Sequence, residues 1–153
     1  MPLHKLWLFR PPGDDLKTLK SLYRVLRPGG GFVVNTVNGA GVAKRLRSPI
    51  SIGHEPLPNV FVIDQARYDK MKRQTVTNWT LIDVRRAKHR VVRGGFRVNV
   101  YSHGELKALL RSAGFEIETV WGMLSGGRFD PSETWHQTIL APKPLKSPGT
   151  KGR

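Results

Sequence analysis

Cysteine is absent from this 153-residue chain, so disulfides and thiolate metal sites are excluded. Acidic residues are scarce: 11 Asp and Glu stand against 26 Lys and Arg, a formal net charge of +15. No apolar run approaches the roughly 20 residues needed to span a bilayer. Met1–Arg10 holds one short apolar stretch and no small-residue cleavage site, so no signal peptide is expected. A cytoplasmic protein without membrane association is the expectation. The histidines His4, His54, His89, His103 and His136 are scattered, with no i, i+4 pair and no carboxylate at ligand spacing, so no metal site is expected. No glycine-rich loop of the kind that cradles phosphates or nucleotides precedes the helix–strand units.

What is present suffices for one core: the hydrophobic content is 39%. Leu16, Leu19, Leu22, Tyr23 and Leu26 recur at helical spacing behind a capping Asp14 or Asp15. Pro28 and Gly29–Gly31 stop that helix, and Phe32–Val37 follows as a strand. Its weak alternation predicts burial on both faces, the habit of a parallel sheet. Residues 38–58 read as a long connection containing a turn or two of helix at Val42–Arg47. Asn59–Tyr68, Arg73–Val84 and His89–Tyr101 are rich in β-branched and aromatic residues and predict an antiparallel meander, with a bend at Gly94-Gly95. Ser102-His-Gly-Glu105 is a capping box for a helix that ends at Gly114. Phe115–Met123 and Trp135–Ala141 predict two closing strands. The tail from Pro142 is basic and Pro-rich, and disorder is expected over 143–153.

These phrases, in this order, resemble a known family. Leu22-Tyr-Arg-Val-Leu-Arg-Pro-Gly-Gly-Gly-Phe-Val-Val34 resembles the helix–turn–strand that follows the cofactor site in class I S-adenosylmethionine-dependent methyltransferases. Tyr101–Phe115 resembles a late helix of the same family, and Asn78–Asp83 the antiparallel insertion of one bacterial branch. Val120-Trp-Gly122 and Thr138–Pro144 resemble its last two strands. The resemblance implies an α/β fold: a partial Rossmann-like sheet whose last strand is antiparallel to the rest, with an antiparallel β insertion at 59–101. The domain would run over 1–142, without the N-terminal cofactor-binding strands. Leu6–Phe9 reads as the remnant of one more strand. It also implies an enzyme, with S-adenosylmethionine as methyl donor. The glycine loop and ribose-binding acid of the family are missing from the sequence, so a truncated form, inactive alone, is expected. A second chain supplying the missing strands is one way to complete the sheet.

Methyl transfer from a sulfonium needs in-line positioning and exclusion of water, not a triad, so no catalytic residue is singled out. Four residues are candidates for binding the methyl acceptor. Asn35 and Asn38 lie at the carboxyl end of the Phe32–Val37 strand, where open α/β sheets bind ligands. Asn38 reads more readily as a turn residue before Gly39, and Asn35 equally as a pocket or a structural residue. Trp79 on the insertion can wall a pocket or pack the meander, and Tyr101 can orient a nucleophile or simply pack. His103 reads as solvated, and Glu105 is taken by the capping box. The basic run Arg85–Arg90, with Arg93 and Arg97, gives the alternative function: a nucleic-acid- or partner-binding module derived from a methyltransferase, in which Trp79 and Phe96 stack bases. The same run also reads as a solvated hairpin turn.

Overall fold

The computed structural model describes residues 14–145. The expected remnant strand at Leu6–Phe9, the Met1–Arg10 segment and most of the expected tail lie outside them. The described residues divide into two compact units: Val42–Val100 forms one, and residues 14–41 with 101–145 form the other.

The flanking segments build an α/β unit. Helix α1 (Asp14–Val25) leads through a glycine turn into β1 (Gly31–Val37), and α3 (His103–Ser112) leads into β6 (Thr119–Trp121) and β7 (His136–Pro142). The strand order is β1-β7-β6, and β7 is antiparallel to both neighbours. This is the arrangement the resemblance implies for a closing antiparallel strand. It also corrects the expectation from β1's composition. β1 is not buried on both faces: Val33 and Asn35 are exposed, while Val34 and Thr36 are buried. Among the described residues its only ladder is the antiparallel one with β7.

Leu19 on α1, Leu106 and Leu110 on α3, and Ile139 and Ala141 on β7 are fully buried and form the core with Val34 and Phe115. Each large aliphatic side chain so removed from water contributes about 1.5–3 kcal/mol. The Phe115 ring meets Tyr23 edge-on at 5.1 Å and lies over Phe32 at 5.2 Å. Lys143, placed in the tail by its composition, is tied into this unit. Its Nζ donates to the carbonyls of Tyr23 (2.9 Å) and Leu26 (2.8 Å), the open end of α1, where a cation offsets the helix dipole. Asp15 does not act as the cap of α1. It lies in the first turn, buried, and its carboxylate accepts the Tyr101 phenol proton. At the other end of α3 the chain turns through Gly114, whose φ of +104° a side chain would strain.

Val42–Val100 contains a four-stranded antiparallel meander, β2-β3-β4-β5. Helix α2 (Gly39–Arg45) precedes β2 (Ile50–Leu57), β3 (Val60–Asp69), β4 (Gln74–Asp83) and β5 (Arg90–Asn99). The three strands legible in the sequence are β3, β4 and β5. β2 is an addition: residues read as connection pair with β3 from Ile50↔Ala66 to His54↔Val62, and a bulge then precedes Leu57↔Val60. Pro56 falls in that irregular stretch of an outer strand, where a missing N–H is tolerated. The β4–β5 turn is pinned by Arg85, which donates to both carboxylate oxygens of Asp83 at 2.9 and 2.7 Å. That fork holds the Asp83 carboxyl well below the usual range.

Candidate functional site

The carboxyl end of β1 meets the start of α3. Asn38 and Tyr101 form a parallel bridge, and the Gly39 N–H donates to the Tyr101 carbonyl at 3.0 Å. The capping box then starts α3: Glu105 N–H donates to Ser102 Oγ, while the Ser102 N–H donates to Glu105 Oε2 at 2.8 Å. This reciprocal closure fixes where His103, the first residue of the helix, points.

Gln137, the second residue of β7, is fully buried beneath this junction. Its Nε2 donates to the carbonyls of Val37 (3.3 Å) and Tyr101 (3.1 Å). With the amide nitrogen turned to those two acceptors, Oε1 faces His103 Nδ1 at 3.2 Å. His103 therefore carries its proton on Nδ1 and keeps a lone pair on Nε2. Partial burial lowers the His103 pKa, with the charge of Lys107 adding to the effect and the Gln137 hydrogen bond opposing it. The position at a helix N-terminus disfavours the cation as well. The imidazole is a neutral base at neutral pH, with its ring against Phe129 at 4.7 Å.

Asn35 is exposed on β1 and donates to Thr138 Oγ1 at 2.7 Å across the β1–β7 pair. Asn38 is fully buried. Its Nδ2 donates to the carbonyls of Pro131 and Thr134, both at 2.9 Å, so it clamps the loop leading to β7. Its Oδ1 is buried with no hydrogen-bond partner, a cost of about 1–3 kcal/mol. Tyr101 turns its phenol to Asp15. Asn38 and Tyr101 thus share one junction, and Asn35 lies on the same strand. Trp79 belongs to the other unit. It sits on β4 opposite Gly94, and its indole occupies the space a Cβ at Gly94 would fill. Sequence reasoning missed His103 and Gln137 as a pair. His103 taken alone reads as solvated, and its partner lies 34 residues away on another element.

Two groups with the chemistry to meet a methyl donor, a carboxylate and a run of glycines, already have structural partners or places. The Asp15 carboxylate is committed to Tyr101, and Gly29–Gly31 are folded into the turn between α1 and β1. Among the described residues no group of His, Asp and Glu is placed to hold a metal ion, and no helix is long and apolar enough to cross a membrane.

No protein-family model and no curated protein sequence matches the chain. Solved structures do. One is an S-adenosylmethionine-dependent methyltransferase from Clostridium acetobutylicum ATCC 824, with a TM-score of 0.73 at 13% identity, covering 86% of this chain and 51% of that one. Another is the CcbJ methyltransferase from Streptomyces caelestis, with a TM-score of 0.71 at 18% identity, covering 89% and 56%. DesVI of Streptomyces venezuelae follows with a TM-score of 0.53 at 15% identity. The chain carries a class I methyltransferase-like fold and spans about half the length of the solved chains it matches.

Proposed function

We propose that this chain is the acceptor-side portion of an S-adenosylmethionine-dependent methyltransferase. The observation that carries the reading is the sheet order β1-β7-β6 with an antiparallel closing strand, in a chain that superposes on methyltransferases of known structure. The methyl donor, when bound, supplies an already activated methyl group. Its grip is assigned to a donor-binding half, because this sequence carries no glycine-rich loop for it. The chain's own contribution is placement and proton handling. Asn38 fixes the loop before β7, the capping box fixes α3, and Gln137 sets the tautomer of His103. A neutral His103, with the Nε2 lone pair outward from Gln137, takes the proton that an acceptor hydroxyl or amine must lose.

Calorimetric titration tests the reading. The chain alone should show no heat with S-adenosylmethionine. Fused to the donor-binding half of a methyltransferase of this fold, it should bind the donor in a one-to-one complex. A folded fusion that takes up no donor would sink the proposal. In an active fusion, His103→Asn should lower turnover about 10²-fold or more and leave donor affinity unchanged.

A further inference from the structure

The two faces of the β2–β5 meander differ. Cross-strand register places four rows on one face: Phe61–Ile82–Val91, Ile63–Thr80–Arg93, Gln65–Asn78–Gly95 and Arg67–Val76–Arg97. Along β3 and β5 every member of these rows is exposed, whereas their alternating neighbours, Arg90 and Phe96 apart, are at least partly covered. Trp79 and Phe96 fall on the opposite face from Arg93 and Arg97, because successive side chains of a strand alternate. By register, the stacking partners expected from the sequence therefore start from the other face of the sheet, although the shallow groove at the Gly94-Gly95 gap touches both rings and Arg97. Among the described residues, Phe61 is the aromatic whose register puts it on the arginines' face, 40% exposed and joined by Ile63 and Val91 at 38% and 50%.

We propose that this face binds single-stranded nucleic acid. The rows form a ladder that begins with an apolar step able to stack a base, continues through an amide, Asn78, able to meet a base edge, and ends on two guanidiniums. Base stacking on an aromatic ring tolerates any sequence, and arginine forks suit phosphate oxygens. Two shallow grooves meet over Val76 and Asn78: one is bounded by Arg67, and the other by Arg97 and, past the Gly94-Gly95 gap, by Trp79 and Phe96. Gly95 adds no side chain there. The exposed turn with Arg86 and Lys88 continues the positive field past the apolar row. Residues 42–100 carry thirteen Lys and Arg against four Asp and Glu, half of the chain's cations. Asp69, 4.0 Å from Arg67 and beyond the last row, puts a carboxylate on the face of the ladder. From Phe61 to Arg67 the face is about 20 Å long at the usual rise of a strand. That suits the low end of the site sizes of single-strand platforms, roughly 4 nucleotides.

The inference goes beyond methyl transfer and is tested without any methyl donor. The probe is a fluorescently labelled oligouridylate of about 12 nucleotides, titrated by anisotropy across about 50–200 mM salt. The expected result is an affinity that falls with salt. Replacing Arg67 and Arg97 by Gln should make the log–log slope shallower by about 1.4, two phosphate contacts at roughly 0.7 each. Phe61→Ala should weaken binding roughly 5-fold or more with the slope unchanged, and Phe61→Tyr should restore it. These positions are exposed, so the melting temperature should not move and serves as the folding control. Four results would overturn the proposal: no binding at the lowest salt, a slope indifferent to the two arginines, equal competition by inorganic polyphosphate with Phe61→Ala silent, or stronger competition by phosphatidylserine vesicles. The third would mark plain ion exchange, and the last a lipid surface.

Discussion

At the scale of single residues, His103 shows how partners decide chemistry. Its sequence neighbours say only that it opens a helix; Gln137 and Phe129, from other parts of the chain, set its tautomer and partly bury its ring. Burial lowers its pKa, so in the window between its folded and unfolded values the unfolded chain binds more protons. The stability this group contributes is fully present above the unfolded value of about 6.5 and is lost as pH falls toward the folded value. Urea midpoints measured from neutral pH down through that window should decline in the wild-type chain. They should decline less for His103→Gln, which has no proton to gain. Equal declines would show that the imidazole is not the group responsible. Asn38 carries the same lesson with less ambiguity. Its polar side chain before a glycine is legible in sequence both as a turn and as a ligand group. Only the fold reveals the two loop carbonyls it holds at 2.9 Å. The Tyr101–Asp15 contact, 86 residues apart in sequence, was likewise out of reach of any local pattern.

At the scale of elements, what is local was legible and what is paired was not. The capping box of α3 was readable because all its parts lie within four residues, Ser102 to Glu105. The helix period of α1 and the composition of β3, β4 and β5 are local too. β2 escaped because its short Ile50-Ser-Ile52 alternation runs at once into Gly53-His-Glu-Pro56, residues poor in strand preference; its conformation comes from the ladder offered by β3. The Gly94-Gly95 pair in β5 was legible as an irregularity but not in its cause. At Gly94 the cause is the indole of Trp79, which lies across the missing Cβ. Gly94→Ala should therefore overpack this point and cost about 1–3 kcal/mol in chemical denaturation. In a double-mutant cycle, Trp79→Leu should remove most of that penalty, because the ring is what the methyl group meets. Additive losses would mean that the two positions do not share one space.

At the scale of the whole molecule, the order of elements was the legible quantity, and it is what the likeness to methyltransferases rests on. The division into units was less so, because the boundary at Val42 falls inside a helix and the outer strand β2 has only a weak strand signature. The α/β unit is discontinuous in sequence, yet its own geometry closes the gap: Asn38 bridges Tyr101, and the Gly39 N–H is bonded to the Tyr101 carbonyl at 3.0 Å. The two ends from which residues 42–100 depart and return are thus held side by side by bonds internal to that unit. Its core residues, Leu19, Leu106, Leu110 and Ile139, all lie outside the segment 42–100. Replacing Val42–Val100 by a flexible linker of about 4 residues should consequently leave the α/β unit folded. Its circular dichroism should keep the helical signal of α1 and α3, and heating should still give one cooperative transition. The shortened chain should also lose affinity for oligouridylate, since thirteen cations and the exposed face of the meander leave together. A shortened chain that is molten, with no cooperative transition, would show instead that the α/β unit depends on the meander for its stability and that the two are a single folding unit.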